Sequence, residues 1–174
     1  MEQDQILWQG RWLRIVRRND WEFVQRHRSN GVVGVVAVTD ADELVLVEQH
    51  RPPVMTGVIE LPAGLSGDVT GHEEEALLAA AQRELLEETG YEASRWRPVF
   101  DGLSSAGLTD EAIHFFLATG LRRVHHGGGD GDENITVHHV PVTTVADWLE
   151  QQKRCGRRVD LKIYAGLFAA LNLP

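Results

Sequence analysis

Arg83-Glu84-Leu85-Leu86-Glu87-Glu88-Thr89-Gly90-Tyr91 packs three carboxylates into little more than one turn of chain and closes on a glycine. Wound as a helix at roughly 100° per residue, Glu88 lies about 40° from Glu84, and Glu87 about 60° to the other side, so the three share one face. Like charges at these spacings repel by roughly a few tenths of a kcal/mol per pair, a penalty that a divalent cation converts into binding energy. The apolar stripe Leu78, Ala81 and Leu85 begins beside Glu88 and sets part of the cluster at the margin of a buried surface. A solvated acidic face with Arg83 paired to Glu87 at i,i+4 is the alternative.

Outward from this stretch, Glu75 stands eight residues before Arg83. The run fits Gly-x5-Glu-x7-Arg-Glu-U-x-Glu-Glu-x-Gly-U, where U is bulky and apolar, at Glu75, Arg83, Glu84, Leu85, Glu87, Glu88, Gly90 and Tyr91. On this motif the chain resembles the Nudix hydrolases. It departs from the pattern at Val69, where the first glycine is due. Gly64, in Leu61-Pro62-Ala63-Gly64, precedes Glu75 by eleven positions, which implies five extra residues within Leu65 to Thr70.

Bulk properties bound the rest. A chain of 174 residues with 43% hydrophobic content fits one ordinary domain with a real core. A net charge of −9 and a pI near 5.3 argue against binding along a nucleic-acid backbone, which relies on Lys and Arg. The single Cys155 can form neither an internal disulfide nor a thiolate metal centre. No run is apolar enough for a membrane span, and the first ten residues have neither a basic start nor an apolar core. The expectation is a cytoplasmic protein.

The patterning predicts strands at Trp12 to Val16 and Trp21 to His27 around Asn19-Asp20, then Val32 to Val38, Leu44 to Val47 and Val58 to Leu61. A helix is expected between a capping box at Thr70 and Glu73 and the C′ residue Gly90, with Glu73 to Glu75 at its positive end. Ala112 to Leu121 and Thr136 to Val140 read as strands. Thr144 and Asp147 open a short helix through Trp148, and Asp160 caps a last helix in which Ile163, Leu167 and Leu171 repeat every four residues. This order gives an α+β chain with a mixed sheet between helices. Adjacent His138 and His139 on a strand point to opposite faces and cannot chelate one ion; His125 and His126 beside glycines read as solvated.

Beyond the central motif, Gly10-Arg11-Trp12, Trp21-Glu22, Gln49 to Pro53, Ile59 to Gly64, Ser105 to Glu111 and Gly131 to Glu133 make the chain similar to ADP-ribose pyrophosphatases and related nucleoside-diphosphate-sugar hydrolases. The resemblance implies an α/β/α sandwich. It implies an amino-terminal antiparallel hairpin over residues 1–31, swapped across a homodimer, and a Nudix hydrolase domain over 32–174. It implies Mg2+ or Mn2+ on Glu84, Glu87, Glu88 and the Ala63 carbonyl, with Arg83 orienting Glu87 and Glu133 as a catalytic glutamate. Trp12 and Trp21 would stack a purine and Glu22 would read its edge. Arg51 would hold a phosphate or ribose, and Glu111 would add an acidic contact to substrate or metal. As plain surface groups, Arg51 and Glu111 are solvated, and the tryptophans are half-buried in a core. The implied activity is cleavage of ADP-ribose to AMP and ribose 5-phosphate. Ala106 stands where ADP-ribose enzymes of this group have a proline, so GDP-mannose or another nucleotide sugar is the alternative. A dNTP-sanitising hydrolase and a non-catalytic ADP-ribose sensor are further readings.

Overall fold

The computed structural model describes residues 4–68, 71, 73–129 and 134–172. The chain begins with three antiparallel strands, β1 (Gln5–Gln9), β2 (Leu13–Arg18) and β3 (Trp21–Arg26), in that order in one sheet. The expected hairpin is β2 and β3, turning at Asn19, whose φ of 55° is a left-handed value that asparagine tolerates. β1 adds a third strand that the sequence reading did not include.

Next come β4 (Gly31–Ala37), β5 (Glu43–Arg51), β6 (Thr56–Glu60), β7 (Ala63–Ser66), α1 (Leu77–Thr89), β8 (Tyr91–Leu103), β9 (Ala112–Arg123), β10 (Thr136–Pro141), α2 (Val145–Arg154), β11 (Arg158–Val159) and α3 (Lys162–Asn172). They form two four-stranded sheets, β7-β4-β9-β8 and β10-β5-β6-β11. In the first, β4 runs parallel to β9; in the second, β6 runs parallel to β11; the other pairings are antiparallel. A bridge between Val38 and Leu44 brings β4 and β5 side by side.

Strand alternation assigns the layers. Val33, Val35, Ala37 and Val45 pack with Ala80, Ala81 and Leu85 of α1. Val36, Leu44 and Leu46, the intervening positions, pack with Val145 and Leu149 of α2 and Ile163 of α3. A strand's period of two sends successive side chains to opposite faces, so this Val/Leu-rich sequence must be covered on both sides. The result is the expected α/β/α sandwich.

Several details differ from expectation. Helix α1 starts at Leu77, without a side-chain cap. Thr70 lies outside the described residues. Glu73 turns back to accept the Gly71 N–H, while its carbonyl is held by Asn30 and the Glu75 carbonyl by Ser66. Those bonds draw residues 73 to 75 into the loop instead of the helix's first turn. The buried stripe of α1 is Ala80, Ala81 and Leu85, and Leu78 is exposed.

Helix α2 runs on to Arg154, and Thr144 donates to the Pro141 carbonyl rather than capping. In α3, Ile163 is buried but Leu171 is exposed. The long strand β8 was absent from the reading because Arg95, Arg97, Pro98 and Asp101 break its apolar alternation. Asp160 does cap: its Oδ1 accepts the Lys162 N–H at 2.8 Å.

Candidate active site

The last two turns of α1 aim their carboxylates at the β6–β7 connection. Gly90 ends the helix with φ 75°, and its N–H bonds the Leu86 carbonyl. That left-handed position favours glycine. A Cβ at Gly90 would collide with the His125 carbonyl and lie 2.7 Å from the Gly127 N. Gly128 and Gly129 donate their N–H groups to the carbonyls of Glu88 and Glu87, at 2.9 and 3.1 Å. The glycine-rich segment is therefore clamped to the helix end. Glu133, together with Asp130 and Asp132, lies outside the described residues.

Glu88 is only 4% exposed, and its Oε2 accepts the Ala63 N–H at 3.1 Å. Glu84 lies across Gly64, where a Cβ would strike its carboxylate. Arg83 gathers the neighbouring acids. Its Nε and Nη2 donate to Glu75, Nη2 also to the Leu65 carbonyl, and Nη1 to Glu84 at 2.8 Å and Glu87 at 3.1 Å. Asp68, from the stretch with extra residues, comes within 3.8 Å of the same guanidinium.

Hydrogen bonding to the Glu75 carboxylate is the main reason that Arg83 is held above its ordinary pKa. Burial pushes Glu84 up to about 7, against the pull of Arg83 and with added repulsion from Glu87 and Asp68. The alternative pairing of Arg83 with Glu87 is thus present within a wider acidic network.

Glu84 and Glu88 line a cleft of about 450 Å³, shared with Ala63, Arg51 and Glu111. Arg51 is paired with buried Glu60 at 2.7 Å, and Glu111 with Arg26 at 2.9 Å. Burial raises the Glu60 pKa, with Arg51 opposing. Sequence reasoning passed over Arg26, Asp68 and Lys162, which also line the cleft. No short motif marks them; they arrive through β3, the lengthened loop and the start of α3.

The tryptophans are not drawn into this cleft. Trp21 is 62% exposed and borders a separate hollow of about 490 Å³ with Phe23, Leu103 and Ala106. Trp12 is 45% exposed beneath the Arg11 guanidinium. Neither is a core residue. Pairing of Arg18 with Trp21 and of Leu13 with Arg26 sets the two indoles at opposite ends of the hairpin. Glu22 pairs with Arg17 at 2.7 Å on the exposed surface.

Among the described lining residues, four acids (Asp68, Glu84, Glu88 and Glu111) face three bases (Arg26, Arg51 and Lys162). An all-oxygen acidic donor set fits a hard divalent cation such as Mg2+ or Mn2+. Among the described residues no three His, Cys, Asp or Glu side chains converge on one point at ligand distance, since Glu84 and Glu87 turn to Arg83 and Glu88 to Ala63.

Residues 28–158 match the NUDIX domain, and the chain belongs to the Nudix family. It is 42% identical over 121 residues to the ADP-ribose pyrophosphatase of Mycobacterium tuberculosis, covering 67% of this chain and 55% of that protein. It is 32% identical over 127 residues to the methanol dehydrogenase activator of Bacillus methanolicus, covering 72% and 66%. The chain thus spans less than two thirds of the length of each. With a GDP-mannose pyrophosphatase of Escherichia coli it shares 30% identity over 161 residues, covering 84% and 81%. A solved ADP compounds hydrolase superposes with a TM-score of 0.71 at 18% identity, over 97% of this chain and 89% of that one, a likeness of fold.

Proposed function

We propose that the cleft hydrolyses the diphosphate of a nucleoside diphosphate sugar, with ADP-ribose as the leading substrate and AMP and ribose 5-phosphate as products. The observation that carries this reading is the convergence of Glu84 and Glu88 with Arg51 in one cleft beside the Ala63-Gly64 backbone. GDP-mannose is the second reading, favoured by the relative that matches over most of its length and by Ala106.

Glu84, Glu87, Glu88 and the Ala63 carbonyl would hold Mg2+ or Mn2+, which when bound neutralises phosphate oxygens and acidifies a water. Glu133 would take the proton of the attacking water. Arg83, which donates to Glu75, Glu84 and Glu87, would keep Glu87 in place. Arg51 would hold a phosphate or ribose oxygen, and Glu111, paired with Arg26, would add an acidic contact to substrate or metal.

The exposed Trp12 and Trp21 would stack the base, and Glu22 would read its edge. Because they stand apart in one chain, a shared pocket calls for the hairpin of a second copy, and we assign the protein to a homodimer in the cytoplasm. Among the described residues no helix is long and apolar enough to cross a membrane.

The test is a panel of ADP-ribose, GDP-mannose, UDP-glucose and dNTPs with Mg2+ and phosphatase coupling, ranked by kcat/KM. A sugar nucleotide at the head supports the reading. Tight ADP-ribose binding without turnover would replace it with a sensor.

A further inference from the structure

Lys162, the first residue of α3, lines the same cleft as Glu84 and Glu88, although its helix belongs to the opposite layer of the sandwich. Its ammonium pairs with Asp160, and both groups are largely shielded from water. Asp160 lies beyond it and borders a second hollow of about 610 Å³, whose lining also includes Arg51 and Glu60. Arg51 and Glu60 form the second ion pair of this wall. Glu60 feels the charges of Lys162 and Asp160 as well as that of Arg51. The cleft is therefore lined there by two cations, Arg51 and Lys162, each paired with an acid, Glu60 or Asp160, that borders the second hollow.

The Lys162–Asp160 pair has no net positive charge with which to receive a terminal phosphate. Its ammonium, bonded to Asp160, carries further N–H donors. A hydroxyl oxygen accepts an N–H bond from such an ammonium without drawing it away from its carboxylate. Neighbouring hydroxyls on one ring can share those donors.

Resting on the diphosphate reading above, we propose that Lys162, backed by Asp160, binds the hydroxyls of the non-nucleotide end of the substrate. That end is then a polyhydroxylated glycosyl group and not a further phosphate. Lys162 is thus a specificity residue, acting at the far end of the diphosphate from the base.

The test compares a nucleoside diphosphate sugar with the P2-methyl ester of the same nucleoside diphosphate, which keeps the diphosphate and lacks the sugar. Lys162→Met should lower the ratio of their kcat/KM values about tenfold, through KM of the sugar substrate, with Lys162→Arg recovering part of it. Melting curves of both variants exclude a folding defect, and Lys162→Gln replaces Met if that variant melts early. An unchanged ratio while the wild type cleaves the methyl ester overturns this inference alone. If the wild type cleaves neither compound, the diphosphate reading falls and this inference with it.

Discussion

The Glu88 carboxylate accepts the Ala63 N–H at 3.1 Å, so an acid in the last turn of α1 and the first residue of β7 are bound to each other. Glu88 thereby has two duties, one structural and one chemical. Glu88→Gln retains an oxygen to accept from Ala63 and removes the charge. It should melt close to wild type while kcat with Mg2+ falls at least a hundredfold. Glu88→Ala strands a shielded N–H and should lose about 1 to 3 kcal/mol as well. Urea unfolding of the two variants beside their turnover separates the duties; equal stability losses would remove the structural one.

The Glu84 carboxyl makes metal-free stability depend on pH in a direction opposite to that of most acids. Its pKa is about 7 in the fold, against a usual value of 4.5. Between these values the folded chain binds more protons than the unfolded one, so this group's stabilising contribution is present below about pH 4.5 and is lost as pH rises through 7. The difference amounts to at most roughly 3 kcal/mol. Unfolding of wild type and Glu84→Gln in EDTA from pH 5 to pH 8 should show wild type losing ground to the variant. Parallel curves would contradict the burial argument.

Gly90→Ala forces a side chain into a left-handed position and into the His125 carbonyl. A loss of about 1 to 3 kcal/mol is expected, read from the denaturation midpoint. Gly102, which has open space around its Cβ and no left-handed φ, is the control and should change far less.

Glu133→Gln should lower kcat strongly while leaving Mg2+ affinity within about twofold, as measured by calorimetry. Near-normal turnover would move the base elsewhere.

The helix, its glycine stop and the acids of the motif were legible because each depends on local chemistry: periodicity, a left-handed stop and fixed spacing. The hairpin and the two-faced strands were legible for the same reason. What escaped depends on partners distant in sequence. The start of α1 shifted to Leu77 because Asn30, Ser66 and Arg83 claim groups of residues 73 to 75. Strand β8 carries arginines that an isolated reading treats as surface loop, yet it pairs with β9 along most of its length. Lys162 could not be placed in the cleft until the α3 cap at Asp160 was seen beside β6, where the Asp160 N–H reaches the Ile59 carbonyl.

The bonds from Gly128 and Gly129 to the ends of Glu88 and Glu87 join two parts of the site into one mechanical unit. Main-chain oxygens of the acidic pair are committed to the arm that leads toward residue 130, while their side chains serve other partners. A tug on that arm is felt first at the helix terminus, so loop length and carboxylate placement cannot be tuned independently in this scaffold.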